Sequence, residues 1–256
     1  MTGLVASSTP TVGQGQGPLG QLGPAERGQQ VQRMFDRIAG RYDAANRVMS
    51  AGVDILWRRK AIDGLLAGLG DRPRLLDLGA GTLDGALEMA RRAPGAVVVG
   101  ADFAREMLRA GLPKLAAGGL GRRVAAHLAD GHVLPYRDAA FDAAFSAFCV
   151  RNLAELPRAL GELRRVVRPG GRIAILEFFR PPRPRPFFDG FYNARVLPLL
   201  GWAVSGDREA YRYLPASIAA FVTEAEFAER LGAAGFASVE IHRLFPAGVA
   251  SLVQAS

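Results

Sequence analysis

The sequence predicts an α/β fold, in which a mostly parallel sheet of seven strands carries helices on both faces. Short apolar runs alternate with helical patterns between residues 75 and 178, which is typical of a parallel sheet. Two more strand-like runs, 237–244 and 248–254, follow closely and should finish the sheet as a hairpin. With 256 residues and 49% apolar residues, one domain with additions is expected.

The core elements follow in chain order. The predicted strands are 75–78, 96–101, 123–128, 141–148 and 172–178, and the predicted helices are 84–92, 104–116, 155–167 and 223–233. Arg168 to Gly171 is expected to form a turn. In such sheets ligands bind at the carboxyl ends of the strands. Four polar residues lie at or just beyond those ends, and we expect them to converge: Asp77, Asp102, Asp130 and Arg151.

The segments outside the core divide the chain further. Residues 1–28 are poor in apolar side chains and should form a disordered tail. Residues 29–70 should form helices that break at Ser50–Gly52, and residues 71–256 should form the main domain. An insertion at about 180–220 begins with a stiff proline-rich connector and continues with the aromatic, apolar segment 187–204.

Composition excludes several classes of protein. The net charge is +8, but the arginines are scattered and no aromatic binding strand accompanies them, so nucleic acid is not the expected partner. No run approaches the length of a transmembrane helix, and the N-terminus does not resemble a secretory signal. The single Cys149 excludes an internal disulfide, and the three histidines lack ligand spacing, so a metal-free cytoplasmic protein is expected.

The glycine turn after the first strand indicates a ligand site. Asp77, Gly79 and Gly81 follow the pattern acid-x-Gly-x-Gly, and a helix begins directly afterwards. A dinucleotide fingerprint would require glycine at position 84, where Asp84 stands, which disfavours an NAD-dependent oxidoreductase. Asp102 ends the second strand, where a carboxylate can accept from two ribose hydroxyls. Either acid alone could be a turn cap or a surface acid; the pair favours a ligand.

Three segments identify a family resemblance. The glycine turn is similar to motif I of the class I S-adenosylmethionine-dependent methyltransferases, which have a Rossmann-like fold. The chain from about Val31 to Val253 resembles the UbiE/MenG methyltransferases of ubiquinone and menaquinone synthesis. The likeness rests on M-F-D-R-I-A-G-R-Y-D-A-A-N at 34–46, on A-F-C-V-R-N at 147–152 with R-P-G-G-R and L-E-F, and on S-G-D-R-E-A-Y-R-Y-L-P-A-S-I at 205–218.

The resemblance implies a cofactor, a lid and a set of contacts. The cofactor is S-adenosyl-L-methionine, and residues 29–70 would form a helical lid over it. The implied cofactor contacts are Asp77, Gly79, Gly81, Thr82, Asp102, Asp130 and Gly131. Leu83, Gly131 and Ala147 depart from the family pattern, which leaves open a diverged paralogue.

The resemblance also implies C-methylation of a polyprenylated quinol. Arg151 would stabilise the phenolate, because a fixed cation lowers a nearby phenol's pKa. Tyr42, Asn46, Asn152 and Asp43 complete the predicted catalytic set, and the proton would pass to water or to a carboxylate such as Asp43. The plainer alternatives are a salt bridge for Arg151 and a helix cap for Asn152.

Two questions stay open at this point. Demethylmenaquinol is the favoured substrate, with the ubiquinone-pathway benzoquinol as an addition; a different small acceptor or a non-catalytic scaffold of a quinone-synthesis complex are the alternatives. The lipid tail implies peripheral contact with the inner membrane face through residues 187–204. Homo-oligomer formation is left open.

Overall fold

The computed structural model describes residues 23–183, 207–244 and 248–256. The apolar segment 187–204 and most of the expected N-terminal tail lie outside these ranges. The strands are β1 Arg74–Leu78, β2 Val97–Asp102, β3 Val124–Leu128, β4 Phe141–Ala147, β5 Val167–Glu177, β6 Val239–Arg243 and β7 Ser251–Ala255. Each predicted strand is therefore present, with ends shifted by a few residues.

The seven strands form one sheet in the order β3-β2-β1-β4-β5-β7-β6. The first five are parallel, and β7 runs antiparallel to both of its neighbours. The predicted hairpin of the last two strands is present, but β7 inserts between β5 and β6. The strand order reverses between β1 and β4, so the carboxyl ends of these two strands flank the crevice where such sheets bind ligands.

Helices cover both faces of the sheet. They are α1 Pro24–Ile38, α2 Tyr42–Ser50, α3 Val53–Leu66, α4 Asp84–Arg92, α5 Arg105–Ala117, α6 Leu156–Val166, α7 Arg208–Ala220 and α8 Glu224–Ala233. One apolar cluster joins α3 and α4 to one face, and a second joins α6 and α8 to the other. The central strand β1 is buried on both sides, as expected for a parallel sheet.

Two boundaries differ from the predictions. The first helix begins at Pro24, inside the segment 1–28 that was predicted to be disordered. Proline suits the first helical turn, and Glu26 there interacts favourably with the helix dipole. Strand β5 already begins at Val167, because the expected Arg168–Gly171 turn is a bulge within the strand: Phe141 pairs with Val167 and Ala143 with Arg172.

The N-terminal helices lie over the carboxyl edge of the sheet. A short 3₁₀ turn at Ala39–Arg41 separates α1 from α2, and the predicted break after Ser50 is present, with positive φ at Ala51 and Gly52. On α1, Gln32 Nε2 donates to the Phe103 carbonyl at 2.7 Å. Asp36 Oδ1 accepts from the Glu106 N–H at the start of α5 at 2.9 Å. These bonds fix α1 against the loop that follows β2.

Among the residues described, the structure contains no helix with the length and apolar character needed to span a bilayer.

Candidate active site

The loops after β1 and β4 touch at the reversal of strand order. Gly79 has φ +72°, and a Cβ built there would lie 2.2 Å from Cys149 Sγ. Any side chain at position 79 would therefore push the two loops apart. The glycine has two functions, a left-handed turn and a close approach, and the second could not be read from the sequence.

Asp102 holds the glycine turn in place. Its Oδ2 accepts from the Gly81 N–H at 2.8 Å, and its Oδ1 accepts from the Ala104 N–H at 2.8 Å. The side chain is buried, with 8% exposure, and does not point into solvent. Burial raises the pKa of Asp102 to about 6, although these backbone donors oppose the shift.

Asp77 is buried beneath the start of α4. Its Oδ2 would lie 2.6 Å from a Cβ at Gly85, so the glycine leaves the space that the carboxylate occupies. Burial raises the pKa of Asp77 to about 7, opposed first by the charge of Arg58 and then by the Ala86 N–H. Oδ2 has no hydrogen-bond partner among the residues described. A buried acceptor left without a partner is suited to a polar, cationic ligand.

Leu83, which departs from the family pattern, lies at the end of the glycine turn. It adopts φ +68°, a conformation that costs a non-glycine residue about 1–2 kcal/mol. Its side chain is fully buried. A Cβ at Gly100 or Gly111 would lie 2.7 Å and 2.8 Å from Leu83 side-chain atoms, so these two glycines make room for the leucine. The departure is therefore accommodated by packing and leaves the turn intact.

Asp130 lies just beyond β3, with its carboxylate held by a neighbouring histidine. Asp130 Oδ1 accepts from the His132 N–H at 2.9 Å and contacts His132 Nδ1 at 2.6 Å. His132 Nε2 accepts from the Glu155 N–H at 3.1 Å, so the imidazole carries its proton on Nδ1 and donates it to Asp130. Hydrogen bonding to His132 holds the pKa of Asp130 below its usual range despite partial burial. Gly131 is buried beside Leu153.

A polar cavity of about 40 Å³ lies between the glycine turn and the N-terminal helices. Its lining combines the loop after β1 with α2, α3 and the end of β4: Tyr42, Asp43, Asn46, Arg47, Asp54, Arg58, Asp77, Gly79, Ala80, Gly81, Thr82, Asp84, Gly85, Phe145, Ala147 and Phe148. Ligand pockets usually measure about 300–1,000 Å³. The polar groups of this cavity fit a cationic nucleoside ligand, and the space between the described residues is smaller than such pockets usually are.

Lys114 ties the N-terminal helices to the sheet. Its Nζ lies 2.8 Å from Asp43 Oδ2 on α2, 2.6 Å from Asp84 Oδ1 on α4 and 2.9 Å from Thr82 Oγ1. The Thr82 hydroxyl also donates to Asp43 Oδ1 at 2.6 Å. We call the group Asp43, Thr82, Asp84 and Lys114 the latch. Asp43, predicted as a base, is thus engaged by a cation and a hydroxyl.

Arg151 lies just beyond β4 and is held by β5, by α7 and by the loop that follows β4. Its Nη1 pairs with Glu177 Oε1 at 2.6 Å, and the same nitrogen donates to the Phe148 carbonyl at 2.8 Å. Its Nε donates to Ser217 Oγ on α7 at 3.3 Å. Both Arg151 and Glu177 are buried. The salt-bridge alternative is therefore real, but Nη2 donates to no residue in the described ranges and stays available.

Asn152 is oriented by a tyrosine that the sequence analysis did not single out. The Tyr213 hydroxyl donates to Asn152 Oδ1 at 2.8 Å, and Asn152 Nδ2 donates to the Phe148 carbonyl at 3.2 Å. One amide N–H is left for a ligand. Phe148 has φ +56°, so a strained residue turns its carbonyl toward both Arg151 and Asn152.

Tyr42 and Asn46 on α2 both line the cavity described above. Burial raises the pKa of Tyr42, and the positive charge of Arg151 opposes that shift. Tyr42 therefore lies within electrostatic reach of Arg151, whereas Asp43 is directed toward Lys114. No metal-binding group of three or more ligands is present in the described ranges.

Sequence reasoning missed four residues that organise the site: Lys114, Phe148, Glu177 and Tyr213. Two carried a signal. Lys114 is one of only two lysines in an arginine-rich chain, and Glu177 is an acid directly after the apolar run 173–176. The strain at Phe148 and the contact of Tyr213 with Asn152 depend on tertiary structure.

The fold and the site together define a class I S-adenosylmethionine-dependent methyltransferase. The sheet order, the glycine turn beside Asp77 and the buried Asp102 are the features that define the class. The model of the ubiE/COQ5 methyltransferase family matches residues 25–255, and the chain belongs to this family. The predicted resemblance and fold class are confirmed.

Relatives and solved structures agree with this assignment. The demethylmenaquinone methyltransferase of Thermus thermophilus is 48% identical over 86% of this chain and 97% of its own length. The protein of the same name from Deinococcus radiodurans is 42% identical over 91% and 92%. The ubiquinone/menaquinone biosynthesis C-methyltransferase UbiE of Geotalea daltonii is 39% identical over 86% and 93%.

The solved structures support the fold alone. The [4+2]-cyclase SpnF has a TM-score of 0.61 at 22% identity, covering 84% of this chain and 75% of its own. A methyltransferase from Methanococcus maripaludis described as S-adenosyl-L-methionine-dependent has a TM-score of 0.60 at 18% identity, covering 87% and 93%. The same architecture therefore occurs across distantly related sequences.

Leu83 allows a test of stored backbone strain. Leu83→Ala should lower the free energy of unfolding by about 2–5 kcal/mol, because it removes a buried side chain and keeps the positive φ. Leu83→Gly should cost less than Leu83→Ala, since glycine relieves the strain. Denaturant unfolding measures both variants. At Leu87, buried within α4, the usual order should hold, with alanine more stable than glycine by about 1 kcal/mol. If Leu83→Ala were more stable than Leu83→Gly, the proposed backbone strain at Leu83 would be excluded.

The buried acids predict a pH-dependent cofactor affinity. A cationic cofactor favours the ionised form of Asp77, whereas the free protein holds a proton there below about pH 7. Affinity should therefore fall as pH decreases below about 7 and level off above it. Calorimetric titration from pH 5.5 to 8, values roughly bracketing the shift, measures this dependence.

Asp77→Asn separates the contribution of this acid from the rest. The variant should bind the cofactor more weakly. Its cofactor affinity should no longer change with pH above about 6, and only the titration of Asp102 should still affect the affinity. The exposed Asp71 provides the control, because Asp71→Asn should keep the wild-type profile. An unchanged profile in Asp77→Asn would show that this carboxyl does not respond to the cofactor.

Proposed function

We propose that this enzyme transfers a methyl group from S-adenosylmethionine to a ring carbon of a polyprenylated quinol, with demethylmenaquinol as its substrate. The observation that carries the proposal is the contact of Gly79 with Cys149, which sets the glycine turn directly beside Arg151 and Asn152. The names of the Thermus and Deinococcus relatives favour demethylmenaquinol over the benzoquinol of the ubiquinone pathway.

The donor half of the site consists of the glycine turn and its acids. Asp102 would accept from the ribose hydroxyls, Asp77 would favour the cationic end, and Asp130 would face the adenine. When bound, the cofactor supplies an electrophilic methyl group on a sulfonium. Asp102 already holds the glycine turn in place, so less of the backbone has to become ordered when the cofactor binds.

The acceptor half offers an aromatic wall beside a cation. The rings of Phe148 and Phe178 stack with centroids 4.7 Å apart, and Trp57 meets Phe178 edge-on at 6.4 Å. The Arg151 guanidinium lies 5.8 Å from the Phe178 centroid. A quinol ring can stack on such a wall while its oxygens meet Arg151 Nη2 and the free N–H of Asn152.

Arg151 would make the ring carbon nucleophilic by stabilising the phenolate. Two nearby tyrosines show the same effect. Burial raises the pKa of Tyr42 and of Tyr213, and the charge of Arg151 lowers both values. A quinol hydroxyl in the same place would experience the same field. Arginine does not readily accept a proton, and Asp43 is engaged in the latch, so water is the better proton acceptor.

The bonds and charges balance with the release of one proton. The ring carbon forms a bond to the methyl group while the bond from methyl to sulfur breaks, and the electron pair of that bond stays on sulfur. The ring carbon then loses its hydrogen as a proton, which restores aromaticity. The hydroxyl that ionised is protonated again before the product leaves.

Arg151→Met tests the acceptor half. The enzyme would be assayed with demethylmenaquinol in phospholipid vesicles, with methylated product measured by mass. Turnover should fall by about 100-fold or more, because the phenolate loses its cation, while cofactor affinity changes little. The same vesicles also measure membrane association, because bound protein sediments with them. Segment 187–204, which is expected to mediate this contact, lies outside the described residues.

Arg164→Met is the matched control, since Arg164 also lies over a phenylalanine ring but far from the site. It should retain wild-type turnover. Equal loss of turnover and cofactor affinity in Arg151→Met would remove Arg151 from the chemistry. Methylation of a small phenol but of no prenylated quinol by the wild-type enzyme would contradict the proposed substrate. Failure to bind the cofactor would favour the scaffold alternative.

Lys114→Met tests whether the N-terminal helices act as a lid. The change removes the cation that joins Asp43 to Asp84 and leaves two carboxylates without it. Without this cation the N-terminal helices should be held less firmly over the site, so both association and dissociation of the cofactor become faster. Stopped-flow measurement of tryptophan fluorescence gives the rates. Lys60→Met, on the outer surface of α3, is the control. Unchanged rates in Lys114→Met would exclude the latch as a barrier.

A further inference from the structure

Glu177 is a buried carboxylate at the carboxyl end of β5. It has 0% exposure, and its Oε1 lies 2.6 Å from Arg151 Nη1. The same Oε1 accepts from the Phe178 N–H at 2.8 Å, and Oε2 accepts from the Arg151 N–H at 3.3 Å. The Glu177 carboxylate therefore contacts both the guanidinium and the backbone N–H of Arg151.

The pair fixes which edge of Arg151 faces the site. Glu177 and the Phe148 carbonyl take Nη1, and Ser217 takes Nε. Only Nη2 donates to nothing within the described ranges. A guanidinium held on two sides cannot rotate, so Nη2 keeps one direction. Removing one partner of such a buried pair is strongly destabilising, whereas an apolar pair of equal volume is often as stable. Stability alone therefore does not account for these charges.

Glu177 also reduces the net charge that Arg151 presents. The Tyr213 phenol reports both charges, because Arg151 opposes the rise of the Tyr213 pKa and Glu177 adds to it. Full cationic charge would make a phenolate stable but poorly nucleophilic, whereas a neutral site would leave the phenol protonated. Proton-transfer catalysis is most effective when the pKa lies near the working pH. A partly neutralised arginine satisfies both requirements.

Other ionisable groups act on the same region. Within the described ranges, the main charged or titratable side chains that act on Arg151 or on these two phenols come from six elements and one loop: Arg27 on α1, Tyr42 on α2, Arg58 on α3, Tyr213 on α7, Asp102 on β2, Glu177 on β5, and Cys149 after β4. Among these described residues, Glu177 is the carboxylate that contacts the Arg151 guanidinium.

We propose that Glu177 is a positioning residue for methyl transfer, which fixes the direction of Arg151 and partly neutralises it so that the quinol hydroxyl ionises near the working pH. This inference rests on the proposed function, in which Arg151 Nη2 meets that hydroxyl. Glu177 touches neither substrate nor cofactor in this arrangement and acts through Arg151.

The test is the pH dependence of turnover in Glu177→Gln. Glutamine keeps the shape and can still accept from Arg151, but it removes the charge. The acidic limb of kcat at saturating cofactor should move to lower pH by about one unit, because Arg151 then acts as an unbalanced cation. Saturating cofactor keeps Asp77 ionised, so its titration does not obscure the limb. Glu240→Gln, on the exposed face of β6, should leave the profile unchanged.

Two further variants keep the outcome decisive. Glu177→Asp retains the charge at a greater distance and should give a smaller shift in the same direction, which also serves if Glu177→Gln fails to fold. Ser217→Ala removes only a positioning bond, so kcat should fall without a shift of the limb. A uniform loss of kcat with no shift in both Glu177 variants would reduce Glu177 to a structural role and overturn the proposal. A shift to higher pH would overturn it as well.

A bound phenol separates this inference from the substrate assignment. Naphthol changes its absorbance on ionisation, so its pKa can be titrated while it is bound to the enzyme with S-adenosylhomocysteine. The pKa should be lowered on the wild-type enzyme and lowered further on Glu177→Gln. If the enzyme methylates no quinol but naphthol shows this order, the substrate assignment fails and the role of Glu177 stands. Equal pKa values on both proteins would overturn the role of Glu177.

Discussion

The approach of Gly79 to Cys149 is the constraint on which the rest of the site depends. The two loops belong to strands on either side of the strand-order reversal, and only a residue without a side chain allows them to touch. One loop leads to the backbone groups held by Asp102, and the other leads to Arg151 and Asn152. A single missing side chain therefore sets the distance between the half that would hold the methyl donor and the half that would hold its acceptor.

Much of the fold was predictable because the strands are short, apolar and separated by helices of ordinary length. Helix α4 was placed without error, since Leu75–Leu78, the glycine turn and the helical pattern follow one another directly. The insertion of β7 between β5 and β6 was not predictable, because local periodicity carries no information about which strands pair. The early start of α1 was missed because its first turns are polar, whereas the contacts that hold the helix come from Gln32 and Asp36 further along it.

The sequence predicted which residues meet at the site better than it predicted what each of them contacts. Asp77, Asp102 and Arg151 do lie at the same edge, because parallel strands end together. The direction of Asp43 toward Lys114 could not be read, since the two are separated by 71 residues and by four elements of structure. Leu83 looked like a defect in the turn, and its explanation required Gly100 and Gly111, which come from β2 and α5. The conformational cost at Leu83 is offset because Gly100 and Gly111 leave space in which its side chain can pack.

The environment of Cys149 has a practical consequence. Burial, together with the carboxylates of Asp102 and Glu177, raises the pKa of this thiol, so little of the reactive thiolate exists at neutral pH. Cys149 is also the sole cysteine in the chain. A cysteine introduced on the outer surface of α1, for example at the exposed Arg33, would then be the group that reacts with a fluorophore. The protein is in this sense suited to single-site labelling, and the fluorescence of such a dye would test whether the leading helices move when the cofactor binds.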